Sequence, residues 1–349
     1  MSSPNIVRGI QKQIQNQLLP SVSSRWQHQI RFGLQAYGLR AFQSVAGNAR
    51  MVGTNTHTAS RKAERLFQNN RLADELGTVF DSLHVVKPRS FVNVDHSDMN
   101  GLTALVGAVQ TRNGRAIPCL VETTYSDRLP SAPTAPKRKQ ALRRARTEAR
   151  KWQSFTGHYI DALQGLHDRL GFWPKLVFDR GFGNESLVTH LAAEGATFYV
   201  RLKGGRFVYL GNQRITTKAL SQTDATVELF GLRLRIVRSP KSRRAPEPWY
   251  ILTNDFSSSR NKVVKIYYHR FEIEETFKDM KHIFELKRTR LNKPLSLKLL
   301  LWFVSLGITL LYLVTKPTKQ ANPKKQTSWL RQAYEQLQQA SGLLLWGQG

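Results

Sequence analysis

The sequence predicts an α/β chain in which a mixed sheet flanked by helices is interrupted by a β-rich insertion and preceded by a helical N-terminal domain. Three observations predict it. Short runs rich in Val, Ile, Leu and Phe recur at 90–125 and again at 174–205, with helix-length segments between them. From Gly205 to Asn254 the pattern changes to brief strands punctuated by Gly, Ser and Pro, and residues 1–86 read as polar and helical.

The elements follow in order. Gly47, Gly53 and the Thr/Asn/His stretch at 54–58 divide the N-terminal region into two helical halves. Ser60 or Thr58 is the expected cap of SRKAERLFQNNRLADEL, with Arg61, Lys62 and Arg65 near its start. A helix pair with a basic start suits a DNA groove, and a plain helical bundle fits equally well. SFVNVD, TALVGAVQT and AIPCLVETTY are three strands in succession, the last two joined by an Asn113-Gly114 hairpin turn. A helical stretch from about Lys137 to Leu170 precedes the strand PKLVFD, the helix ESLVTHLAAEG and the strand FYVRLKGG, giving the order β-β-β-α-β-α-β. RFVYLG, ATVELFG, RLRIVRS and PWYILTN build the insertion, helices resume near Ser258, and KPTKQANPKKQ is a linker to a last short helix. The expected domains are therefore 1–86, a core of 87–205 with 255–315, an insertion at 206–254, and a C-terminal linker and helix at 316–349.

Composition narrows the partners. With 53 Lys and Arg against 24 Asp and Glu, the formal charge of +29 is spread along 349 residues, which favours an extended polyanion, nucleic acid first. A chain that is 40% apolar with 7 Trp and 17 Phe has a core large enough for catalysis, unlike a simple basic binder. The single cysteine, Cys119, excludes a disulfide framework within the chain and reads as a small buried hydrophobe. The N-terminus lacks the apolar core of a signal peptide, so a cytoplasmic location beside the nucleoid is expected. Leu299–Val314 is uncharged but short for a bilayer, with Lys298 and Lys316 about 27 Å apart as helix, so a buried core helix is expected and no membrane partner.

The segment YYHRFEIEETFKDMK carries the sharpest signal. At 100° per residue Tyr267, Arg270, Glu274 and Lys281 share an arc of roughly 60° on one helix face. One carboxylate among two cations and a phenol suits phosphate and divalent-metal chemistry, although a solvated charged face has the same pattern. Two further acids stand at expected strand ends, Asp95 after Phe91-Val92-Asn93-Val94 and Asp179 after Leu176-Val177-Phe178, giving an ordered Asp, Asp, Glu set. Lys139, Arg143, Arg146 and Arg150 form a cationic stripe at helical spacing. Arg180, Arg201 and Lys203 are further candidate DNA contacts, whereas His96, Asp98, Glu122 and His282 read as supporting residues.

On these residues the chain resembles the DDE transposases of the insertion-sequence-four class, cut-and-paste enzymes of bacteria with a ribonuclease-H-like core. The Tyr-x2-Arg-x3-Glu-x6-Lys pattern is met by Tyr267, Arg270, Glu274 and Lys281, and the resemblance runs over about residues 88–290. It implies that Asp95, Asp179 and Glu274 hold two Mg²⁺ ions, with Mn²⁺ as a substitute, for in-line displacement at phosphorus. It also implies that Tyr267, Arg270 and Lys281 grip phosphates; Arg180, Arg143 and Arg146 are candidate DNA contacts by charge and position alone, a solvated face being the alternative for the last two. In relatives that pass through a DNA hairpin, a tryptophan at the start of the last insertion strand stacks on a flipped base; Trp249 stands there, and a half-buried edge-strand aromatic is its plain alternative. The implied partners are double-stranded DNA, as transposon ends and as target, and a second copy of the chain on that DNA. A silent relative that only occupies DNA ends, and a ribonuclease-H-like nuclease or resolvase, are the other readings.

Overall fold

The computed structural model describes residues 3–52, 56–99, 101–126, 155–240, 247–315 and 328–340. Its described strands form one ten-stranded mixed sheet in the order β3-β2-β1-β4-β5-β10-β9-β8-β6-β7. β1 (Phe91–Met99), β2 (Leu102–Gln110) and β3 (Ala116–Tyr125) are an antiparallel meander. Gly114, at φ 83°, supplies the left-handed residue of the β2–β3 turn that Asn-Gly anticipates. β4 (Lys175–Phe178) and β5 (Phe198–Leu202) then add in parallel beside β1, after the helices α6 (Phe155–Leu170) and α7 (Glu185–Ala193) respectively. Near-continuous apolar runs in β2, β3 and β4 fit strands covered on both faces.

The strands expected as an insertion, β6 (Phe207–Leu210), β8 (Asp224–Leu229), β9 (Leu232–Arg238) and β10 (Tyr250–Thr253), continue that same sheet. β10 pairs with β5 on one side and β9 on the other, so the excursion is bolted to the core by its last strand. A tenth strand, β7 (Gln213–Thr216), forms the edge; its polar QRIT sequence gives no strand signal.

The N-terminal helices are α1 (Ser3–Gln13), α2 (Ser24–Gly33), α3 (Val45–Arg50), α4 (Thr56–Leu66) and α5 (Asn70–Asp81). The segment expected as one helix capped at Thr58 or Ser60 is two, and both residues lie inside α4. The Asn69 side chain accepts from the Leu72 amide at 3.1 Å and starts α5, because an Asn with extended backbone satisfies an end amide that a continuing helix leaves no reason to free. All of this rests on α10 (Pro294–Thr315), after the helices α8 (Arg260–Tyr268) and α9 (Phe271–His282). α10 is long and apolar enough to cross a membrane by length and composition, yet 83% of its most apolar window is buried inside the protein. A Cβ at Gly307 of α10 would fall 1.7 Å from the Gly38 carbonyl oxygen, so a helix–turn contact this close requires glycine. The C-terminal helix α11 (Trp329–Ala340) packs against α1 and α10.

Candidate active site

The site forms where β1 and β4 part. Their parallel pairing ends at Val94 and Phe178, so the next residues, Asp95 and Asp179, leave the pair side by side. Asp95 is not at a strand end as the sequence suggests: β1 runs on to Met99, paired only with β2, and Asp95 faces Val106 across that ladder. The His96 amide donates to Asp95 Oδ1 at 2.8 Å, and the His96 ring packs on Tyr159 and Phe182. Asp179 opens the short turn Arg180–Phe182 with its carboxylate free of any capping role.

The Tyr/Arg/Glu/Lys segment is not one helix. It breaks between α8 and α9 at His269–Arg270, and two side-chain amides, the buried Asn93 and the partly buried Gln110, donate to the carbonyls there. Asn93 Nδ2 donates to the His269 carbonyl at 3.1 Å, and Gln110 Nε2 donates to the Ile266 carbonyl at 3.1 Å and to Asn93 Oδ1 at 2.7 Å. The opposite face of α9 is clamped to the β2–β3 turn. Glu272 accepts from the Thr111 and Arg112 amides at 2.9 and 3.2 Å, Thr276 Oγ1 bonds the Ala116 backbone, and Asp279 accepts from Arg115 and Ser328. Sequence reading missed these supporting groups, though Glu272, Thr276 and Asp279 recur at helical spacing opposite Glu274.

Held this way, Arg270 is 3% exposed and stands among the acids. Its Nη2 donates to Glu274 Oε1 at 2.6 Å and its Nη1 to Asp95 Oδ2 at 3.3 Å, while Nε is buried without a partner. The Tyr267 hydroxyl, fully buried, donates to Asp179 Oδ1 at 3.4 Å. Tyr267 and Arg270, expected to face phosphates, are thus turned inward onto the carboxylates. Burial pushes the Asp95 carboxyl above its ordinary value against the pull of Arg270, and the Asp179 carboxylate adds to the rise. Burial works against the Arg270 charge, but Tyr267, Asp179, Glu274 and Asp95 outweigh it and raise its pKa. Burial also raises the Tyr267 phenol and keeps it a donor.

The other expected residues fall around this cluster. Trp249 is 8% exposed, edge-on to Tyr267 at 5.2 Å and against Phe271 at 5.7 Å, so it is a packed residue in this structure. Lys281 is half-buried, its pKa lowered by that burial with the Asp98 carboxylate opposing the fall. Arg180 is exposed beside Asp179, and Arg143 and Arg146, with Lys139 and Arg150, lie outside the described residues. Asp98 accepts from Thr103 and Glu122 from Lys298, both as supports.

Among the described residues no three His, Cys, Asp or Glu side chains are drawn together closely enough to hold a metal. The chemistry of the donor set nevertheless fits a hard divalent cation: three carboxylates around one guanidinium leave negative charge in surplus, and Glu274, 41% exposed, opens it to solvent.

The profile of the transposase DDE domain matches residues 139–310. The chain carries a transposase DDE domain. That family consists of enzymes that cleave and transfer DNA strands, and its members generally use a divalent metal. The DDE domain match spans Asp179, Trp249, Tyr267, Arg270, Glu274 and Lys281, whereas Asp95 precedes it and joins the site through Arg270. No curated protein matches the chain.

Proposed function

We propose that this is a cut-and-paste transposase of the insertion-sequence-four class, binding the terminal inverted repeats of its element, cleaving there and joining the ends to target DNA. The observation that carries the reading is the buried Arg270, bonded at once to Asp95 and Glu274 beside a Tyr267 bonded to Asp179. A transposase match that lacks Asp95 is thereby connected to a third acid 175 residues from Arg270 along the chain. The meander followed by two parallel strands supports a ribonuclease-H-like core over 87–205 and 255–315, with 1–86, 206–254 and 316–349 as its N-terminal, insertion and C-terminal parts.

In this reading Asp95, Asp179 and Glu274 hold two Mg²⁺ ions, with Mn²⁺ as a substitute. When bound, the ions supply Lewis-acid activation of a water or 3′ hydroxyl and neutralise the leaving oxygen. The protein's own groups do the rest. Arg270 holds Asp95 and Glu274 apart and offsets their charge, the Tyr267 hydroxyl orients Asp179, and Arg180 and Lys281 meet the flanking phosphates. For a hairpin route, Trp249 stacks a flipped base after Phe271, 37% exposed against it, swings aside. The working unit is a homodimer on DNA in the cytoplasm.

The test is incubation of the full chain with Mg²⁺ and a labelled duplex carrying the ends that flank its gene, resolved on a denaturing gel. Flush release or a hairpin, lost in Glu274→Ala, is expected. Binding without any cut in either protein would sink the reading in favour of an end-occupying relative.

A further inference from the structure

Beside Asp179 lies an open groove of about 1030 Å³ between the Arg180–Phe182 turn and the outer strands β6 to β8 with the turn that follows β8. Its size is at the top of the range that takes one drug-sized ligand, so it admits more than a single small molecule. Arg180, Lys203, Arg206 and Arg214 line it against one carboxylate, Glu185. β6 alternates in an unusual sense: Val208 is fully buried, while Phe207 and Tyr209 on the other face are 48% and 47% exposed. A strand that needed only to fold would carry polar residues on that face, as its neighbour β7 does with Arg214 and Thr216. The Arg214 guanidinium lies 4.1 Å above the Phe207 ring, and Arg214 is the cross-strand partner of Tyr209. Arg206 is anchored by a 2.9 Å bond to the Gly183 carbonyl, which ties this wall to the turn after Asp179.

We propose that this groove binds unpaired, single-stranded DNA, with Phe207 and Tyr209 stacking on bases and Arg180, Lys203, Arg206 and Arg214 tracking the backbone. Cations alone would serve a duplex equally well. Two solvent-facing rings, one already layered with a guanidinium, recognise base faces, and a duplex keeps those faces inside its stack. The inference rests on the proposal that the site acts on DNA and names the strand state it keeps next to Asp179. It uses neither Trp249 nor the metal-binding acids.

The experiment is fluorescence anisotropy of the full chain in EDTA, with a labelled oligothymidylate of about a dozen nucleotides and a random duplex of equal length. Phe207→Ala/Tyr209→Ala is expected to weaken single-strand binding at least about tenfold and duplex binding by less than about threefold. In parallel, photocrosslinking of iodouracil-substituted single strand to the unaltered protein is expected to label the 203–214 segment, which keeps the inference exposed even where the double variant folds poorly. Equal loss on both probes, no loss, or crosslinks only elsewhere would overturn it. Because no metal is present, a chain that never cuts DNA still passes or fails this test, so its outcome is separate from that of the cleavage assay.

Discussion

Among the described residues two guanidiniums are buried, and they are treated in opposite ways. Arg235 on β9 is 8% exposed and well satisfied: it grips Asp224 with a two-pronged contact at 2.7 and 2.6 Å and donates to the Asp255 and Ser258 carbonyls at 3.0 and 2.6 Å. Its neighbour Asp255 is held well below the usual carboxylate range: hydrogen bonds from Ser258, Tyr199 and Ser257 overcome the cost of burial. Arg270 has one prong on each of two acids, an orphaned Nε, and a third acid within electrostatic reach. The first arrangement fastens the outer strands to the segment before α8. The second leaves charge unbalanced, and the protein accepts that strain only where chemistry can use it.

The comparison breaks most visibly at Glu274. Glu274→Ala should lower strand cleavage by about 10³-fold or more while end binding changes little, read from gel-resolved cleavage beside a binding titration. Next in size, Arg235→Ala should cost about 1–3 kcal/mol, because the buried Asp255 and Ser258 carbonyls lose the Arg235 donor while the exposed Asp224 is rehydrated, and thermal or urea unfolding reports it. An equal loss from Arg235→Ala and from Glu274→Ala in stability would erase the distinction between the two clusters. Asn93→Ala should cost about 1–3 kcal/mol and slow cleavage as well, since the His269 carbonyl keeps only the Glu272 amide, Gln110 loses an acceptor and Arg270 its aim; loss of stability with unchanged cleavage would assign Asn93 to packing alone.

The smallest and sharpest effect is a sign. Asp95 has a raised folded pKa, so its contribution is fully present below the unfolded value of 3.8 and is lost as pH rises through the higher folded value. Asp95→Asn should therefore gain stability relative to the parent as pH rises above about 4. Asp224 is lowered by its hydrogen bonds to Arg235, so its contribution is present above 3.8 and disappears as pH falls through the lower folded value. Asp224→Asn should be the less stable protein at neutral pH, with the gap closing in acid. Melting temperatures from about pH 2 to pH 7 decide both, and the same slope in the two variants would contradict the contrast.

The groups proposed to carry chemistry are easier to read than those that aim them. Asp179, Glu274, Tyr267 and Arg270 stand out because their types and spacing are written locally, as are the meander strands and the Asn113-Gly114 turn. The break at His269–Arg270 was not legible: no Gly or Pro marks it, the helical period continues across it, and it is held open by Asn93 and Gln110, 176 and 156 residues from the carbonyls they meet. Asp95 was read as a strand end because NVDHSD turns polar there, yet pairing with β2 alone keeps β1 extended to Met99. The edge strand β7 owes its form to β6 and not to its own polar residues.

The contact between Gly38 and Gly307 bears on more than packing. At that separation neither backbone can slide or tilt without collision, and the Phe42 amide is pinned nearby to the Phe284 carbonyl at 2.8 Å. The N-terminal helices therefore travel with the helix that follows the catalytic segment as one stiff caliper. In the proposed reading, whatever stretch of DNA the first 86 residues touch would be gauged against the three acids by a fixed length of protein, and the distance from reading to cutting would be built into two missing side chains.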